Sequence, residues 1–270
     1  MNQPLFSIIT VTLNPGGGLG RTVDSVKAQI FRDFEHIVKD AGSTDGSVAQ
    51  YARSGNDYDP IVIIRTDRGI YDAMNQALDY ASGKYVLFLN AGDLLYDGEV
   101  LEQVAQVVKN EPALGLVYGD YFAETLQLIV KSPKRLSGFF LYRTMLCHQA
   151  CFFMREEVDK IGRFDNSLRV VADYDLLLRL VLGSGLSFKY LGKSFTSYMG
   201  GGFSIYPDNA RIGAREVNLL RQRHFRPSER LLYGCMRALT FPHLRIKLMQ
   251  STHFLLLQRM YVMATNLWNR

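Results

Sequence analysis

Hydrophobic residues in the first half of the chain are grouped in short runs separated by polar loops. Four of these runs are apolar and rich in β-branched residues, which is typical of buried strands. They read "LFSIITVTL", "FEHIVKD", "PIVIIRTD" and "GKYVLFLN". Helical patterns lie between them, over Val23–Ile30, Ser47–Arg53 and Tyr71–Ala81. This alternation predicts an α/β fold with a mostly parallel central sheet flanked by helices.

The second half of the chain is less regular. The pattern predicts a helix over Gly98–Lys109 and a strand over Leu114–Tyr121, followed by a looser segment over Phe122–Gly138. From Pro207 onward the pattern is helical and basic. We therefore expect a folded domain over residues 1–205, followed by a basic amphipathic helical segment over residues 206–270.

Composition and charge refine this picture. The chain has 270 residues, of which 47% are hydrophobic and 21% charged, and its formal net charge is +5. Such a length fits one large domain, or one domain with an appendage. Arg226–Arg270 holds seven Lys and Arg residues against one acidic residue, Glu229. An acidic partner is therefore expected to face the C-terminal end.

Cysteine usage and hydropathy indicate a cytoplasmic protein. The three cysteines, Cys147, Cys151 and Cys235, are too few and too uneven for a disulfide framework. Cys147 and Cys151 flank a histidine, but no second pair at ligand spacing completes a zinc site. The N-terminal Met-Asn-Gln-Pro leads directly into a predicted strand, so we expect no signal peptide. No uncharged apolar stretch reaches the roughly eighteen residues that would predict a spanning helix.

Polar side chains follow four of the predicted strands, at the point where each strand ends. In open α/β sheets, ligands bind outside the carboxyl ends of the strands. The sequence therefore predicts one crevice of acids and amides at this edge. These side chains are Thr12 and Asn14, Asp40, Asp67 and Arg68, and Asn90 and Asp93.

Four stretches follow one another along the chain: "SIITVTLN" with Ser25 and Gln29 in the following helix, "IVKDAGSTDGS", "DRGIYDAMNQALDYASGKYVLFLNAGD" and "ADYDLLLRL". In this order they resemble the inverting family 2 glycosyltransferases of the nucleotide-diphospho-sugar (GT-A) fold. The resemblance covers residues 5–205, and within the family it is greatest to bacterial enzymes that build surface polysaccharides. It implies a nucleotide-sugar half over residues 1–95 and an acceptor half over residues 96–205.

The resemblance assigns the first polar residues to the nucleotide-sugar donor. It implies that Asp40 accepts hydrogen bonds from the base or ribose, which suits a carboxylate because charge-assisted bonds are strong. Thr12 and Asn14 are candidates for nucleotide contact. The competing interpretation of Asp40 is a helix cap, in which Ser43–Asp45, which we expect to be capping residues, begin the next helix.

Asp67 and Arg68 are the next donor candidates. The carboxylate of Asp67 can hold the base or ribose, and the guanidinium of Arg68 can meet the pyrophosphate. A solvated turn is the competing interpretation, since Asp-Arg-Gly is ordinary turn chemistry. Asn75 resembles the donor-binding asparagine of the family, whereas Tyr71 belongs to an apolar helical stripe that we expect in the core.

The glycine run Gly16–Gly18, followed by Arg21, leaves a rival enzyme class open. In sugar-nucleotidyltransferases a glycine loop with an arginine cradles a triphosphate through its backbone N–H groups. In a transferase the same glycines form a pliable connection that permits positive φ before the helix.

The motif "LNAGD" departs from the Asp-x-Asp pattern of the family. Asn90 stands where an acid is common, Gly92 replaces another acid, and Asp93 remains. A departing pyrophosphate needs a divalent cation, and Mg²⁺ takes only one or two protein carboxylates. We therefore expect Mg²⁺ or Mn²⁺ at Asp93, with Asn90 as a neutral oxygen donor or a ribose contact. The alternative is a catalytically silent nucleotide-sugar binder.

The late motif "VVADYDLLLRL" carries the expected catalytic base. The resemblance implies that Asp173 takes the proton of the acceptor hydroxyl, although its usual Glu neighbour is Ala172 here. Asp173 is also placed to cap the helix, and Asp175 is expected to brace the helix or a nearby arginine. One base opposite the leaving group implies a single displacement with inversion.

His148 and Gln149 match a segment that lines the acceptor site in similar transferases. The competing interpretation for His148 is a structural histidine beside a core strand. Gly200–Gly202 and Ser204 are expected to form a flexible lid or an ordinary turn.

The C-terminal segment mixes basic with apolar residues. Basic amphipathic helices lie on anionic membrane surfaces, where a lipid-linked acceptor would also be found. This favours a peripheral protein on the inner face of a bacterial membrane. The alternatives are an appendage packed on the domain, or a contact with a second subunit in a homodimer. The segment has no recognised nucleic-acid motif.

Overall fold

The computed structural model describes residues 3–49, 51, 60–200, 206–239, 259, 260, 262, 263 and 266. The strands in this part of the chain are β1 Phe6–Thr12, β2 Phe34–Asp40, β3 Ile61–Ile64, β4 Tyr85–Phe88, β5 Leu94–Leu95, β6 Leu114–Ala123, β7 Leu128–Val130, β8 Cys151–Met154 and β9 Ser187–Tyr198. The helices are α1 Gly18–Lys27, α2 Ile70–Leu78, α3 Val100–Asn110, α4 Gly138–Arg143, α5 Arg155–Lys160, α6 Ala172–Gly183, α7 Pro207–His224 and α8 Pro227–Leu239. A 3₁₀ turn over His148–Ala150 precedes β8.

The strands form one sheet in the order β3-β2-β1-β4-β8-β6-β9-β5, with β7 paired to β6. The four strands β1 to β4 are parallel, whereas β8 runs antiparallel to both β4 and β6. The predicted α/β fold is therefore confirmed, but the sheet is parallel only in its first half and mixed beyond β4. The reason is that β8 enters the sheet between β4 and β6 in the opposite direction, whereas β9 runs parallel to β6 again.

Helices cover both faces of the sheet, which explains the continuous apolar runs of its central strands. On β1, Ile9 contacts the core beneath α2 and α6, and Ile8 contacts the core beneath α3. Phe88 and Leu87 repeat this alternation on β4, because neighbouring side chains of a strand point to opposite faces.

Helix α7 is packed into the first of these cores. Its Leu220, and Phe225 just after it, are buried with the residues of α2 and α6. The carboxylate of Glu216 accepts hydrogen bonds from the backbone N–H groups of Arg169, Val170 and Val171, at 2.7, 2.9 and 3.2 Å. α7 therefore holds the chain at the start of α6, although the sequence-based boundary at residues 205 and 206 separates it from the domain.

Two other sequence-based predictions concern this part of the fold. Asp175 braces its helix as expected, since its carboxylate pairs with Arg179 at 2.7 Å and with His224 at 2.8 Å. The helix predicted over Ser47–Arg53 is not found in the described residues. Hydrogen bonds from Ala49 to Gly46 and from Tyr51 to Val48 close turns instead, and residues 50, 52 and 53 lie outside the described part.

Across the described residues, no helix combines the length and the apolar character that a bilayer-spanning segment needs.

Gly83 allows β1 to approach the start of β4. A substitution at Gly83 therefore tests the packing of these two central strands. A Cβ atom at Gly83 would lie 2.4 Å from the backbone nitrogen of Ser7 and 2.6 Å from the carbonyl carbon of Phe6. We expect Gly83→Ala to lower the free energy of unfolding by about 1–3 kcal/mol, because β1 must shift. Urea unfolding measures this loss.

Gly183→Ala is the matched control, since a Cβ atom at this last residue of α6 would meet nothing within 4 Å. The control should keep or slightly raise the free energy of unfolding. Equal stability of the two variants would contradict the close approach at Gly83.

Candidate active site

The candidate site, at the crevice predicted from the sequence, lies where the neighbouring strands β1 and β4 end. Thr12 is the last residue of β1, and the chain after β4 continues beside it, with a hydrogen bond from Leu89 N–H to Ile9 O at 2.9 Å. Thr12 Oγ1 and Asn90 Oδ1 are buried and have no hydrogen-bond partner among the described residues. Because an unpaired buried polar atom costs free energy, these two oxygens mark a place where a polar ligand would be stabilising.

Asp93 forms one side of the crevice and is only 6% exposed. Its Oδ2 accepts a hydrogen bond from Gln149 Nε2, and its Oδ1 accepts one from the Met199 N–H, both at 3.1 Å. Burial raises the pKa of Asp93 to about 6, since it outweighs the lowering effect of the two hydrogen bonds and of His148, while Glu124 raises it further. A buried carboxylate of this kind would be stabilised by a cation.

The polar face of α1, together with Gln29 just beyond its end, holds the segment that carries Asp93. Thr22 Oγ1 donates to Asp93 O at 2.8 Å and accepts from the Gly92 N–H at 2.9 Å. Ser25 Oγ accepts from the Leu95 N–H at 3.1 Å, and the Gln29 side chain donates to Asp97 O at 2.6 Å. The sequence analysis recognised Ser25 and Gln29 only as matches to a family and missed Thr22. An S/T-x-x-S-x-x-x-Q spacing on one helix face could have indicated this role.

Asp173 lies in the first turn of α6 and contacts the same 3₁₀ turn as Asp93 does. Its Oδ2 lies 2.9 Å from His148 Nδ1, and its Oδ1 accepts hydrogen bonds from the Tyr71 hydroxyl at 3.0 Å and the Tyr174 N–H at 2.9 Å. Tyr71 was expected only as a core residue. Its ring is buried as expected, but its hydroxyl also holds Asp173, and burial together with the Asp173 charge raises the pKa of Tyr71.

His148 and Gln149 connect Asp173 and Asp93. They are consecutive residues of the 3₁₀ turn, and His148 contacts Asp173 whereas Gln149 contacts Asp93. The other ring nitrogen of His148, Nε2, lies 3.5 Å from Asn90 Nδ2. Because the Asp173 carboxylate can only accept, a neutral His148 carries its proton on Nδ1. These contacts connect Asn90, Asp93, His148, Gln149 and Asp173, and the roles predicted for these residues stay predictions.

The loop after β2 is organised around Asp40. This residue is 1% exposed, and its carboxylate accepts hydrogen bonds from Ser43 Oγ at 2.5 Å, the Ser43 N–H at 2.8 Å and the Gly42 N–H at 3.1 Å. The carboxylate thus shapes its own loop, and the predicted contact with a base or ribose stays a prediction. The competing interpretation of Ser43–Asp45 as a helix start is wrong for the described residues, since turns follow instead.

The glycine-containing loop after β1 is tied to the loop after β2. Asn14 has a φ of +49°; its Oδ1 accepts from the Thr44 N–H at 2.8 Å, and its own N–H donates to Ser43 Oγ at 2.7 Å. The Gly16 N–H donates to Asp45 at 2.8 Å, and Gly16 has a φ of +54°. Because this N–H is already paired with Asp45 and Gly16 has a positive φ, the loop fits a pliable connection better than a phosphate cradle.

Asp67 neutralises a buried lysine whose role was not predicted from the sequence. The Lys39 side chain is fully buried on β2, and its Nζ lies 2.7 Å from Asp67 Oδ2 and 2.6 Å from Arg65 O. Removing one partner of a buried ion pair leaves an uncompensated charge, so Asp67 has a structural task as well as its predicted donor contact. A lysine on a central strand, with an aspartate after the next strand, was the available signal.

Arg68 and Asn75 lie outside the Asp93–Asp173 crevice. Both line a polar surface cavity of about 470 Å³ beside α2, together with Asp67 and Asp72. The Arg68 side chain is 81% exposed and pairs with Asp72 at 3.3 Å. The Asn75 amide donates to Phe164 O at 2.9 Å and accepts from the Phe164 N–H at 3.1 Å. Their donor contacts therefore stay predictions.

The donor set of the crevice limits which metal it could hold. Within the described part of the chain, no group of three or more His, Cys, Asp or Glu residues could hold an ion. The crevice offers the Asp93 carboxylate and the unpartnered Asn90 Oδ1. This set fits a hard cation such as Mg²⁺ or Mn²⁺ that takes its other ligands from phosphate oxygens and water.

The expected lid falls mostly outside the described residues. Gly200 has a φ of +78° and follows Met199, whose backbone N–H holds Asp93, but residues 201–205 are not described.

Comparisons with known sequences identify relatives of the chain. The family model "Glycosyl transferase family 2" matches residues 7–162. The "PGL/p-HBAD biosynthesis glycosyltransferase" of Mycobacterium tuberculosis is 35% identical over 242 residues, which are 83% of this chain and 92% of the relative. An "uncharacterized glycosyltransferase" of the same species is 34% identical over 185 residues, 67% of this chain and 70% of the relative.

Solved structures share the fold. S. aureus TarS 1–349 in complex with UDP-GlcNAc matches with a TM-score of 0.67 at 18% identity, over 82% of this chain and 67% of that chain. In a longer TarS structure the match spans 39% of that chain. The mannosyltransferase PcManGT from Pyrobaculum calidifontis, in complex with GDP-Man and Mn²⁺, matches with a TM-score of 0.58 at 15% identity, over 100% of this chain and 88% of that chain.

The burial of Asp93 predicts a pH-dependent contribution to stability. Its pKa of about 6 in the folded chain lies above the ordinary value of 3.8. The stability that it contributes is therefore complete below about pH 4 and is lost as the pH rises through about 6. Without divalent cations, we expect the free energy of unfolding of the wild type to fall relative to Asp93→Asn by about 1–3 kcal/mol over this range.

Urea unfolding at several pH values checks this expectation. Asp24→Asn, at an exposed position of α1, controls for the loss of a carboxylate. A difference between wild type and Asp93→Asn that stays constant with pH would show that Asp93 is not buried as described.

Proposed function

The chain belongs to glycosyl transferase family 2 and has its GT-A fold, and from this premise we propose that it transfers a sugar from a nucleotide-diphosphate donor to a saccharide acceptor, with inversion at the anomeric carbon. The observation that carries the proposal is the pair of contacts from His148 to Asp173 and from Gln149 to Asp93. It supports a single crevice in which a diphosphate and a proton acceptor flank the same sugar.

The proposed donor site extends from the crevice along the ends of the parallel strands. The unpartnered oxygens of Thr12 and Asn90 support polar contacts to the donor at β1 and β4. Asp40, at the end of β2, and Asp67, after β3, would hold the nucleoside. Arg68 would meet the diphosphate. The related folds solved with UDP-GlcNAc and with GDP-Man support a nucleotide-sugar donor.

Asp93 would hold a divalent cation, with Asn90 Oδ1 as a neutral ligand or a ribose contact. When bound, Mg²⁺ or Mn²⁺ offsets the negative charge that develops on the diphosphate leaving group. Gln149 and the Met199 N–H fix the Asp93 carboxylate through its hydrogen bonds. The raised pKa of Asp93 supports this assignment because a cation nearby favours the ionised carboxylate.

Asp173 would act as the base. The acceptor oxygen forms a bond to the anomeric carbon, the bond from that carbon to the diphosphate breaks, and the hydroxyl proton passes to the Asp173 carboxylate. Hydrogen bonds from Tyr71 and His148 hold this carboxylate in place. A single base and no carboxylate nucleophile give one displacement, hence inversion.

The proposed acceptor is a lipid-linked saccharide of bacterial surface polysaccharide synthesis, met at the inner face of the membrane. His148 and Gln149, which contact Asp173 and Asp93, would line the acceptor site, and the basic C-terminal segment supports peripheral association with an anionic surface. Much of that segment, residues 240–258 included, lies outside the described residues. Cytoplasmic localisation and a homodimer stay predictions.

Asp173→Asn tests the base assignment. The variant keeps the size of the side chain but cannot take a proton, so we expect transfer to fall by about 10²–10⁴-fold. Its dissociation constant for the donor should stay unchanged. Release of nucleoside diphosphate measures transfer, and calorimetric titration measures donor binding.

Asp175→Asn is the control, two residues along the same helix. It loses the brace to Arg179 and His224, so it should lower the free energy of unfolding but keep transfer per folded molecule. Full transfer by Asp173→Asn would remove the base assignment.

Removal of divalent cations tests the metal assignment. Chelation should abolish transfer by the wild type, and added Mn²⁺ or Mg²⁺ should restore it. Asp93→Asn should stay inactive at every cation concentration, because the only carboxylate proposed as a ligand is lost. Donor binding without any release of nucleoside diphosphate, in the presence of acceptor and Mn²⁺, would instead identify a silent binder.

A further inference from the structure

A second cleft lies between α7 and α8, away from the donor and acceptor residues. It has a volume of about 480 Å³. Its lining includes Tyr142 of α4, Asn218 and Arg221 of α7, and Arg230 and Leu231 of α8. Two arginines and no acidic residue line the cleft, so its chemistry suits an anion.

Arg221 is held in a fixed position at this cleft. Its guanidinium carbon lies 4.8 Å from the centre of the Tyr142 ring, and its Nε donates to Tyr142 O at 3.0 Å. Within the described residues Arg221 makes no ion pair, and burial and then the charge of Arg237 lower its pKa. An anion would therefore offset an uncompensated, half-buried charge.

Arg230 adds a second cation, with no side-chain hydrogen bond or ion pair in the part of the chain that the structure describes. The sequence has no Asp or Glu after Glu229. The residues after Glu229 therefore supply no acidic side chain that could neutralise either arginine.

Exposed apolar side chains lie on the two helices that line the cleft. Leu231 is 71% exposed and Leu232 is 56% exposed on α8, and Leu219 of α7 and Met236 of α8 are exposed as well. Leu231 belongs both to the lining of the cleft and to this apolar surface. Phosphate-binding cations beside exposed leucines match the two layers of a bilayer surface, its headgroups and its acyl chains.

The contacts around the cleft connect it to one part of the candidate active site. Tyr142 follows Leu141, whose carbonyl accepts a hydrogen bond from the Tyr174 hydroxyl, and Tyr174 follows Asp173. The cleft is thus connected by α4 to the helix that carries the proposed base, rather than to the loops proposed to hold the nucleoside.

We propose that the α7–α8 cleft binds the phosphate headgroups of anionic lipids, so that the chain docks on a membrane with the acceptor side of its crevice next to the bilayer. The inference deepens the membrane association within the proposed function. Charge complementarity selects the occupant: an anionic lipid surface supplies phosphates for Arg221 and Arg230 and an apolar layer for Leu231 and Leu232.

Sedimentation of the full chain with vesicles tests the proposal. One set of vesicles is phosphatidylcholine alone, and the other mixes phosphatidylcholine with phosphatidylglycerol. The wild type should bind the mixed vesicles and not the neutral ones. Arg221→Gln with Arg230→Gln should lower the partition coefficient by about 25-fold, or about fivefold for each arginine. Arg215→Gln, an exposed position of α7 outside the cleft lining, should change it less than twofold.

Two measurements keep the test decisive. Arg230→Gln alone must show its fivefold loss even if replacing Arg221 impairs folding, which circular dichroism reports. Equal binding to neutral vesicles, no binding to either, or wild-type binding by the double variant would overturn the proposal. A double variant that loses binding to an RNA oligonucleotide but keeps wild-type binding to the mixed vesicles would overturn it too. Because neither donor nor acceptor is present, such a failure leaves the transfer reaction untouched.

Discussion

Hydrogen bonds from two consecutive residues, His148 and Gln149, connect Asp173 and Asp93 to one turn of the chain. Their place follows from the register of β8, which runs antiparallel to β4 with Leu87 opposite Phe152. The turn before β8 therefore lies beside the residues that follow β4, where Asn90 and Asp93 are found. If β8 ran parallel to β4, the opposite end of β8 would lie at this edge. The antiparallel pairing of β8 therefore places the turn at the site.

The parallel half of the fold was readable from the sequence because each of its features is local. β-branched runs mark the strands, helical spacing marks the crossovers, and ligand-binding edges follow from topology. Thr12, Asp40 and Asp67 could be placed at one edge on this basis. The site around Asp93 and Asp173 was predictable only through resemblance, because the two residues are far apart in sequence.

What the sequence did not reveal depends on partners in tertiary structure. Strand β9 was missed because much of it is half-exposed, Gly192 has a φ of +68°, and its register with β6 is irregular. The roles of Lys39, Tyr71 and Glu216 were missed for another reason. Each is an ordinary residue for its element, and only the fold shows which carboxylate or backbone group it contacts. α7 likewise reads as a basic helix until Glu216 is seen to hold the start of α6.

A crystal structure with a nucleotide-sugar donor and Mn²⁺ tests the central claim most directly. The account predicts the cation and diphosphate against Asp93, with the anomeric carbon between them and the Asp173 carboxylate. A diphosphate bound without the cation and out of contact with Asp93, with the sugar turned away from Asp173, would contradict it.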